Sequence, residues 1–303
     1  MLPNPVLRKL GLAENDRVVI IHADDVGMCQ ATLPAFAELI DFGLISSAAV
    51  MVPCPWFLAA AAFCREHPGV DVGVHSTLTS EWETYRWGPV STRDPRSGLL
   101  DAQGCFPRTS EEVQACAQPE AARTELEAQV KRAVEAGVDV THIDTHMGTV
   151  AHPRLTGAYL EVALTWQVPP MLLRLDEARW RAMGLDAETA ALAVALAQQL
   201  EEQGVPLLDD IRGLPLDRPE DRIGQAKAVF SSLQPGITHM VIHPAVDTPE
   251  LRAITPDAAA RVADFRTFTS PELRDYVRSL GIHVIGYRTL RDLMRAAIGG
   301  KEG

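Results

Sequence analysis

The chain has 303 residues, of which 47% are apolar, and its 40 acidic against 28 basic residues give a formal net charge of −12. This charge repels phosphate backbones and anionic membrane surfaces, so we expect no nucleic-acid partner. No stretch reaches the ~18–20 apolar residues of a membrane span, and the N-terminus lacks the apolar core of a secretion signal, which predicts a cytoplasmic protein. The five cysteines include no CxxC pair, which indicates reduced thiols rather than a disulfide framework.

Short apolar runs alternate with amphipathic segments along the chain. Each run is typical of a buried parallel strand, and the runs lie at residues 17–23, 46–52, 71–78, 140–146, 169–175, 204–208, 238–244 and 282–287. The segments between them have helical spacing, with Gly43 and Gly137 as natural helix ends. About eight strand and helix alternations predict one α/β domain over residues 1–303, either a β/α barrel or a doubly wound sheet.

The segment at about residues 80–110 breaks this alternation. It contains turn residues and three large aromatic side chains, Trp82, Tyr85 and Trp87. A loop of this length inside a compact domain is usually functional. We therefore expect it to contribute to substrate binding.

Polar residues gather at the carboxyl ends of the predicted strands, which is the face where β/α folds bind ligands. They are His22, Asp24 and Asp25 after the first strand, His75 after the third, His142, Asp144 and His146 on and after the fourth, Arg174 after the fifth, and His243 after the seventh. Chance would scatter such residues over both ends. The pattern predicts a functional site at this face.

Asp24 and Asp25 are adjacent, and adjacent side chains of an extended strand point to opposite faces. A buried unpaired carboxylate is costly, so the pair requires a bound cation or a turn. One structural alternative stays open, in which Asp25 caps the helix that follows.

A lone histidine such as His75 is more often a hydrogen-bonded core residue than a metal ligand, but its neighbours change that expectation. In the HIDTH sequence, His142, Asp144 and His146 alternate and project to one face of an extended chain. Imidazoles and a carboxylate from three strand ends make a facial triad with open positions. We therefore expect Asp25, His75 and His146 to hold one divalent metal ion, supported by His142 and Asp144.

The remaining polar residues suit acid–base or orienting roles. Asp24 is left free as the general base. His243, in the sequence VIHPA, suits protonation of a departing amine. The alternative is that His243 is an ordinary loop histidine without a catalytic role. Arg174 either pairs with Asp176 on the surface or orients Asp24 or a substrate oxygen.

The chain resembles the YdjC-like carbohydrate deacetylases, which include chitooligosaccharide deacetylases and hopanoid-biosynthesis-associated deacetylases. The residues that support the likeness are HADDVGMCQA (22–31), GLISSAAVMVPCPWF (43–57), DVGVHSTLTSEW (71–82), SGLLDAQGCF (97–106), THIDTHMGTV (141–150) and VIHPA (241–245). The resemblance implies a modified β/α barrel related to the polysaccharide deacetylases. It also implies a divalent metal held by Asp25, His75 and His146. By the same resemblance, Asp24 matches the presumed base and His243 matches the family's HP histidine.

The sequence departs from the family pattern at two places. The family usually reads NADD, whereas His22 stands here in place of the asparagine and adds either a proton donor or only a hydrogen bond beneath the site. The family often has a histidine-rich DSHHHxH stretch, whereas this chain reads DTHMGTV. Met147 and Gly148 remove two side chains that would shape a sugar pocket.

Together these features predict metal-dependent removal of N-acetyl groups from amino sugars or oligosaccharides. The ion is expected to be Mg²⁺, which is commonly described for the family, or Zn²⁺, which suits a two-imidazole site. Trp82 and Trp87 then either stack on sugar rings or cover the core.

Two alternatives differ in class: a metal-dependent sugar isomerase or epimerase, and a non-catalytic sugar-binding protein on the same scaffold. An isomerase site usually needs more carboxylates and a lysine or second base. If the chain were a non-catalytic binding protein, we would expect the base or one of the metal ligands to be missing. The sequence leaves a homodimer open.

Overall fold

The computed structural model describes residues 3–299, and these residues form a seven-stranded sheet in which every ladder is parallel. The strands are β1 (Arg17–Val26), β2 (Ser47–Val50), β3 (Val72–Ser76), β4 (Val140–Thr145), β5 (Asp210–Gly213), β6 (Gly236–Ile242) and β7 (His283–Val284). Their order is β4-β3-β2-β1-β6-β5, and the short β7 pairs with the first half of β1. The long β1, whose residues are buried from Val18 to Val26, therefore lies in the middle of the sheet.

Helices connect the strands. In chain order they are α1 (Pro5–Lys9), α2 (Thr32–Phe42), α3 (Phe57–Glu66), α4 (Ser110–Cys116), α5 (Pro119–Glu135), α6 (Pro153–Trp166), α7 (Glu177–Ala182), α8 (Ala187–Gln203), α9 (Arg222–Ser232), α10 (Pro249–Ile254), α11 (Ala258–Phe268), α12 (Pro271–Ser279) and α13 (Tyr287–Gly299). Gly43 ends α2 at φ 74°, a left-handed conformation that glycine adopts without a Cβ penalty. Among the described residues, no helix combines the length and the apolar character needed to cross a membrane.

The two edges of the sheet, β4 and β5, face a gap that isolated bridges cross. Ile143 of β4 is bridged to Pro170, and Leu173 is bridged to Leu208 just before β5. The predicted strand at 169–175 thus makes single bridges instead of a ladder, and the strand predicted at 204–208 starts later, at Asp210. The expected α/β fold of the modified β/α-barrel type is confirmed.

The segment at about 80–110 is irregular but well packed. Its one short 3-10 turn is Pro95–Ser97. Arg86 donates to Asp101 Oδ2 at 2.8 Å and to a backbone carbonyl, while Glu125 of α5 accepts hydrogen bonds from the backbone N–H groups of residues 90 and 91. These bonds fix the segment against the carboxyl end of the sheet, beside the predicted site.

Candidate metal centre

The backbone changes conformation at the end of β1, between Asp24 and Asp25. Asp25 has φ 61°, which residues other than glycine adopt seldom, and the pairing of β1 with β2 is irregular at this point. Both carboxylates therefore reach the same atom, Nε2 of His75, at 3.7 Å from Asp24 and 3.4 Å from Asp25. Asp25 does not cap the next helix, because α2 begins only at Thr32.

Three buried donor atoms meet at this face. Asp25 Oδ1 lies 3.4 Å from Nε2 of His75 and 3.3 Å from Nδ1 of His146, and the two nitrogens are 3.3 Å apart. The residues come from the end of β1, from β3, and from the 3-10 turn His146–Ala151 that follows β4. We refer to Asp25, His75 and His146 as the triad.

The spacing within the triad fits a metal ion. Ligand atoms ~2.1 Å from a tetrahedral ion lie ~3.4 Å from one another, close to the three observed separations. Asp25 Oδ1 is buried and accepts no hydrogen bond from any described residue, which is costly unless a cation approaches it. The triad can therefore hold a metal ion.

Each imidazole of the triad turns its other nitrogen toward a carboxylate. Nδ1 of His75 hydrogen bonds to Asp144 Oδ1 at 2.9 Å, and Nε2 of His146 lies 3.1 Å from Glu81 Oε2. Metal-bound histidines commonly have such partners, which fix the ring and its tautomer. Although burial lowers the pKa of His146, the charges of Glu81 and Asp25 raise it to about 9. A bound cation would have to displace protons from these rings.

The second oxygen of Asp25 is neutralised by a buried arginine. Nη1 of Arg261, on α11, donates to Asp25 Oδ2 at 2.7 Å, and its Nε donates to Asp257 Oδ1 at 2.7 Å. Burial raises the pKa of Asp25, but the Arg261 charge, together with His146 and His75, outweighs burial and holds that pKa well below its ordinary value. Asp25 is thus ionised, with Oδ1 facing the two histidines.

Asp24 lies next to the triad and close to His243. Nε2 of His243 is 3.8 Å from Asp24 Oδ2, and their side chains are 22% and 11% exposed, so both reach solvent. Burial raises the pKa of Asp24, but the charge of His75 and the hydrogen bond and charge of His22 together outweigh burial, and the net shift is downward. Asp24 is therefore ionised and able to accept a proton. The pair borders a cavity of about 380 Å³.

His22 is buried on β1 between two carboxylates. Its Nε2 lies 3.2 Å from Asp24 Oδ1 and 3.0 Å from Asp144 Oδ2. Burial lowers the pKa of His22, but Asp144 and Asp24 outweigh burial and raise it to about 9. With His239, these residues form a second group of close donor atoms. His22 thus brings one positive charge against two carboxylates and balances part of their charge.

His142 does not contact the triad directly, which corrects the expected supporting role. Its ring stacks on Tyr287 with centroids 3.8 Å apart. Burial and the charge of His22 hold the pKa of His142 well below its ordinary value. Gly73 makes room for the ring, since a Cβ there would lie 2.4 Å from it. The expected alternation fails because His146 lies in the turn beyond β4 rather than on the extended strand.

Arg174 lies at the opposite end of the sheet, so the expectation that it orients Asp24 is wrong. It donates to Glu201 at 2.6 Å and to Asp209 Oδ1 at 2.8 Å. Asp209 in turn accepts a hydrogen bond from the backbone of Ile237, at the start of β6. The two carboxylates attract the guanidinium to this end, whereas Asp24 lies at the carboxyl end of β1.

Trp82 and Trp87 are buried rather than open to a ligand. They are 9% and 4% exposed, and their ring centroids are 5.4 Å apart. Nε1 of Trp87 donates to the carbonyl of Thr79 at 2.8 Å, and its ring centroid is 6.4 Å from that of His146. The role in stacking on sugar rings is therefore corrected to the alternative: both indoles form the core wall behind the triad.

Three residues at the site were missed by sequence reasoning. Glu81 stands in the TSEW sequence six residues after His75, and a carboxylate so close to a predicted ligand was a usable signal. His239 lies on the interior face of β6, where its place in an apolar run hid it. Arg261 lies on a helix 236 positions from its partner Asp25, and no local pattern indicates that contact.

Comparisons with known proteins show the family to which the chain belongs. Residues 18–279 match the family described as YdjC-like protein. A carbohydrate deacetylase of Thermus thermophilus is 33% identical over 291 residues, which cover 95% of this chain and 99% of that protein. A carbohydrate deacetylase of Brevibacillus brevis is 26% identical over 275 residues, which cover 90% and 99%.

The fold also matches a solved structure. A protein of Enterococcus faecalis, described as a candidate cellobiose-phosphate cleavage protein, superimposes with a TM-score of 0.73 at 23% sequence identity. The match covers 91% of this chain and 99% of the other. At this identity the likeness supports the fold alone.

Proposed function

We propose a function from one premise: this chain belongs to the YdjC-like protein family. The proposed reaction is metal-dependent hydrolysis of the N-acetyl group of an amino sugar or oligosaccharide. Both curated relatives described above bear the name carbohydrate deacetylase, and they are matched over nearly their whole length.

One observation supports this proposal most strongly. Asp25 Oδ1 faces Nε2 of His75 and Nδ1 of His146 without a hydrogen-bond donor among the described residues. The ionised carboxylate of Asp24 and the imidazole of His243 lie at the edge of the same cluster. A metal-assisted hydrolase needs this combination of ligands, base and acid. A non-catalytic relative would lack at least one of them.

Asp25, His75 and His146 would hold the ion. When bound, a divalent cation supplies Lewis acidity at the scissile carbonyl. Two imidazoles with one carboxylate favour Zn²⁺ over Mg²⁺, which prefers oxygen ligands and keeps several waters. We therefore propose zinc as the better fit to the donor set.

Asp24 and His243 would divide the proton transfers between them. Asp24 is ionised and 3.7 Å from the triad nitrogen of His75, so it is placed to remove a proton from an attacking water. His243 is the more exposed of the two and would donate a proton to the departing amine. His22, 3.2 Å from Asp24, holds the base in position from the buried side.

The setting of the reaction is part of the same proposal. The chain would act as one catalytic unit, with the segment at 80–110 supporting the site rather than closing over substrate. All five cysteines are free, which supports a reducing compartment such as the cytoplasm. The homodimer stays a prediction.

The test is acetate release by protein freed of metal and reloaded with Zn²⁺ or Mg²⁺. N-acetylglucosamine and its short oligomers should yield one acetate and one free amine per turnover, and the metal-free protein should be inactive. A new sugar isomer without acetate would instead favour the isomerase alternative. Binding of sugar without either product would favour the binding protein.

A further inference from the structure

The cavity beside Asp24 and His243 has an apolar wall. It lies between the 3-10 turn after β4, the bridged segment at 171–173 and the α7 region, and its volume of about 380 Å³ is within the ~300–1,000 Å³ of small-molecule pockets. Met147, Met171, Leu173, Trp180 and Met183 are among its lining residues. Met147 and Met183 are 49% and 61% exposed, which places flexible apolar side chains at its mouth.

The cavity offers few polar groups to sugar hydroxyls. Besides Asp24 and His243, the polar lining residues are Thr145, Thr156 and Tyr159, and their hydroxyls bond to backbone groups. The Thr145 hydroxyl donates to the carbonyl of His146, the Thr156 hydroxyl donates to the carbonyl of Val150, and the Tyr159 hydroxyl bonds to the backbone of Ile143 and Met171. Trp180 Nε1 is the exception, because it has no hydrogen-bond partner in the described part of the chain. A free carbohydrate would lose hydration along the apolar wall and regain few hydrogen bonds there.

The position of the cavity identifies which half of the substrate enters it. Its lining includes Asp24 and His243 but none of the triad residues. In the proposed reaction the acetyl carbonyl lies at the triad, and His243 protonates the amine of the sugar half. The sugar half therefore extends past His243 toward the apolar wall.

We propose that the substrate is an N-acetyl amino sugar with an uncharged apolar aglycone, and that the Met147, Trp180 and Met183 wall binds this aglycone. The proposal rests on the proposed function. It deepens that function by assigning the substrate to glycosides with an apolar substituent, either an alkyl chain or an aryl ring. An exposed apolar surface that continues from a reaction centre commonly marks a ligand site.

The experiment compares kcat/KM for acetate release from N-acetylglucosamine and from its octyl and phenyl glycosides, each as both anomers. Burial of the aglycone should raise kcat/KM at least ~10-fold over the free sugar. The alkyl and aryl arms show which aglycone the cavity prefers. Met183→Glu should reduce this preference, because a carboxylate at the mouth opposes an apolar group. Leu192→Glu, an equally exposed leucine on α8 outside the cavity lining, should leave the preference unchanged.

Other outcomes separate this proposal from the proposed function. Equal kcat/KM for all glycosides, with acetate still released, would overturn the aglycone site and leave the deacetylase intact. Faster turnover of N-octanoylglucosamine would assign the cavity to the acyl group and overturn the proposal. If no compound released acetate, binding of the octyl glycoside would be measured by calorimetry. Binding that is weakened by Met183→Glu would support the aglycone site alone. Absence of binding would overturn the aglycone site.

Discussion

Glu81 Oε2 lies 3.1 Å from Nε2 of His146, on the side of the ring opposite to the triad. The other nitrogen, Nδ1, faces Asp25 Oδ1 at 3.3 Å. Glu81 thus determines which nitrogen of His146 keeps its proton and which one can bind a cation. His75 has the reverse assignment, with Asp144 on Nδ1.

Glu81→Ala should weaken metal binding ~10–100-fold, because His146 loses the carboxylate that fixes its tautomer. Titration of the metal-free protein with Zn²⁺ measures the effect. Glu83→Ala is the matched control, since Glu83 lies in the same segment but is exposed. Equal affinities for the two variants would limit Glu81 to a structural role.

Replacing a triad histidine should remove the metal and abolish acetate release without unfolding the protein. His75→Ala and His146→Ala are cleaner tests than Asp25→Ala, because the latter leaves the Arg261 charge buried with one partner fewer, at a cost of ~3–5 kcal/mol. Elemental analysis of purified variants gives the metal content, and circular dichroism checks the fold. Stoichiometric metal in either histidine variant would remove that residue from the ligand set.

Asp24→Asn and His243→Asn should both retain the metal yet lose ~10²–10⁴-fold in kcat. Their different roles can be separated by the leaving group. An activated acetate ester needs little protonation as it departs, so it should restore much of the rate to His243→Asn but not to Asp24→Asn. Equal recovery by both variants would contradict the assignment of base and acid.

The strands that were predicted well are those with continuous apolar runs. β1, β3, β4 and β6 are buried on both faces, and burial on both faces produces such runs. The position of β5 was predicted too early in the chain, because its DIRG sequence is half exposed and polar and contains no apolar run. The gap between β4 and β5 depends on backbone pairing, which hydrophobic periodicity does not encode.

The site was predictable where its residues follow strands in sequence. Asp25, His75 and His146 stand at or beyond carboxyl ends of strands, and parallel pairing brings such ends together. Arg261 comes from a helix that follows the last long strand, and its contact with Asp25 depends on tertiary packing alone. Periodicity could not reveal that contact.

Trp87→Ala should destabilise the protein by ~3–5 kcal/mol, which is the usual cost of removing a large buried ring. The variant also loses the hydrogen bond from Nε1 to Thr79. Trp56→Ala, at a position 36% exposed, is the control and should cost far less. Urea denaturation gives both values. A normal stability with a raised KM for Trp87→Ala would instead restore the ligand-stacking role.

The buried charge on His22 should make part of the stability depend on pH. Its pKa is about 9 in the folded protein and ~6.5 in the unfolded chain, so protonation favours the folded state. This contribution, up to ~3 kcal/mol, is fully present below pH ~6.5 and is lost as the pH rises through about 9. Denaturation of the metal-free protein at several pH values should therefore show that His22→Gln is more destabilising at pH 6 than at pH 10. A difference that stays constant over this range would mean that His22 is neutral between Asp24 and Asp144, and the second donor group would then need another source of positive charge.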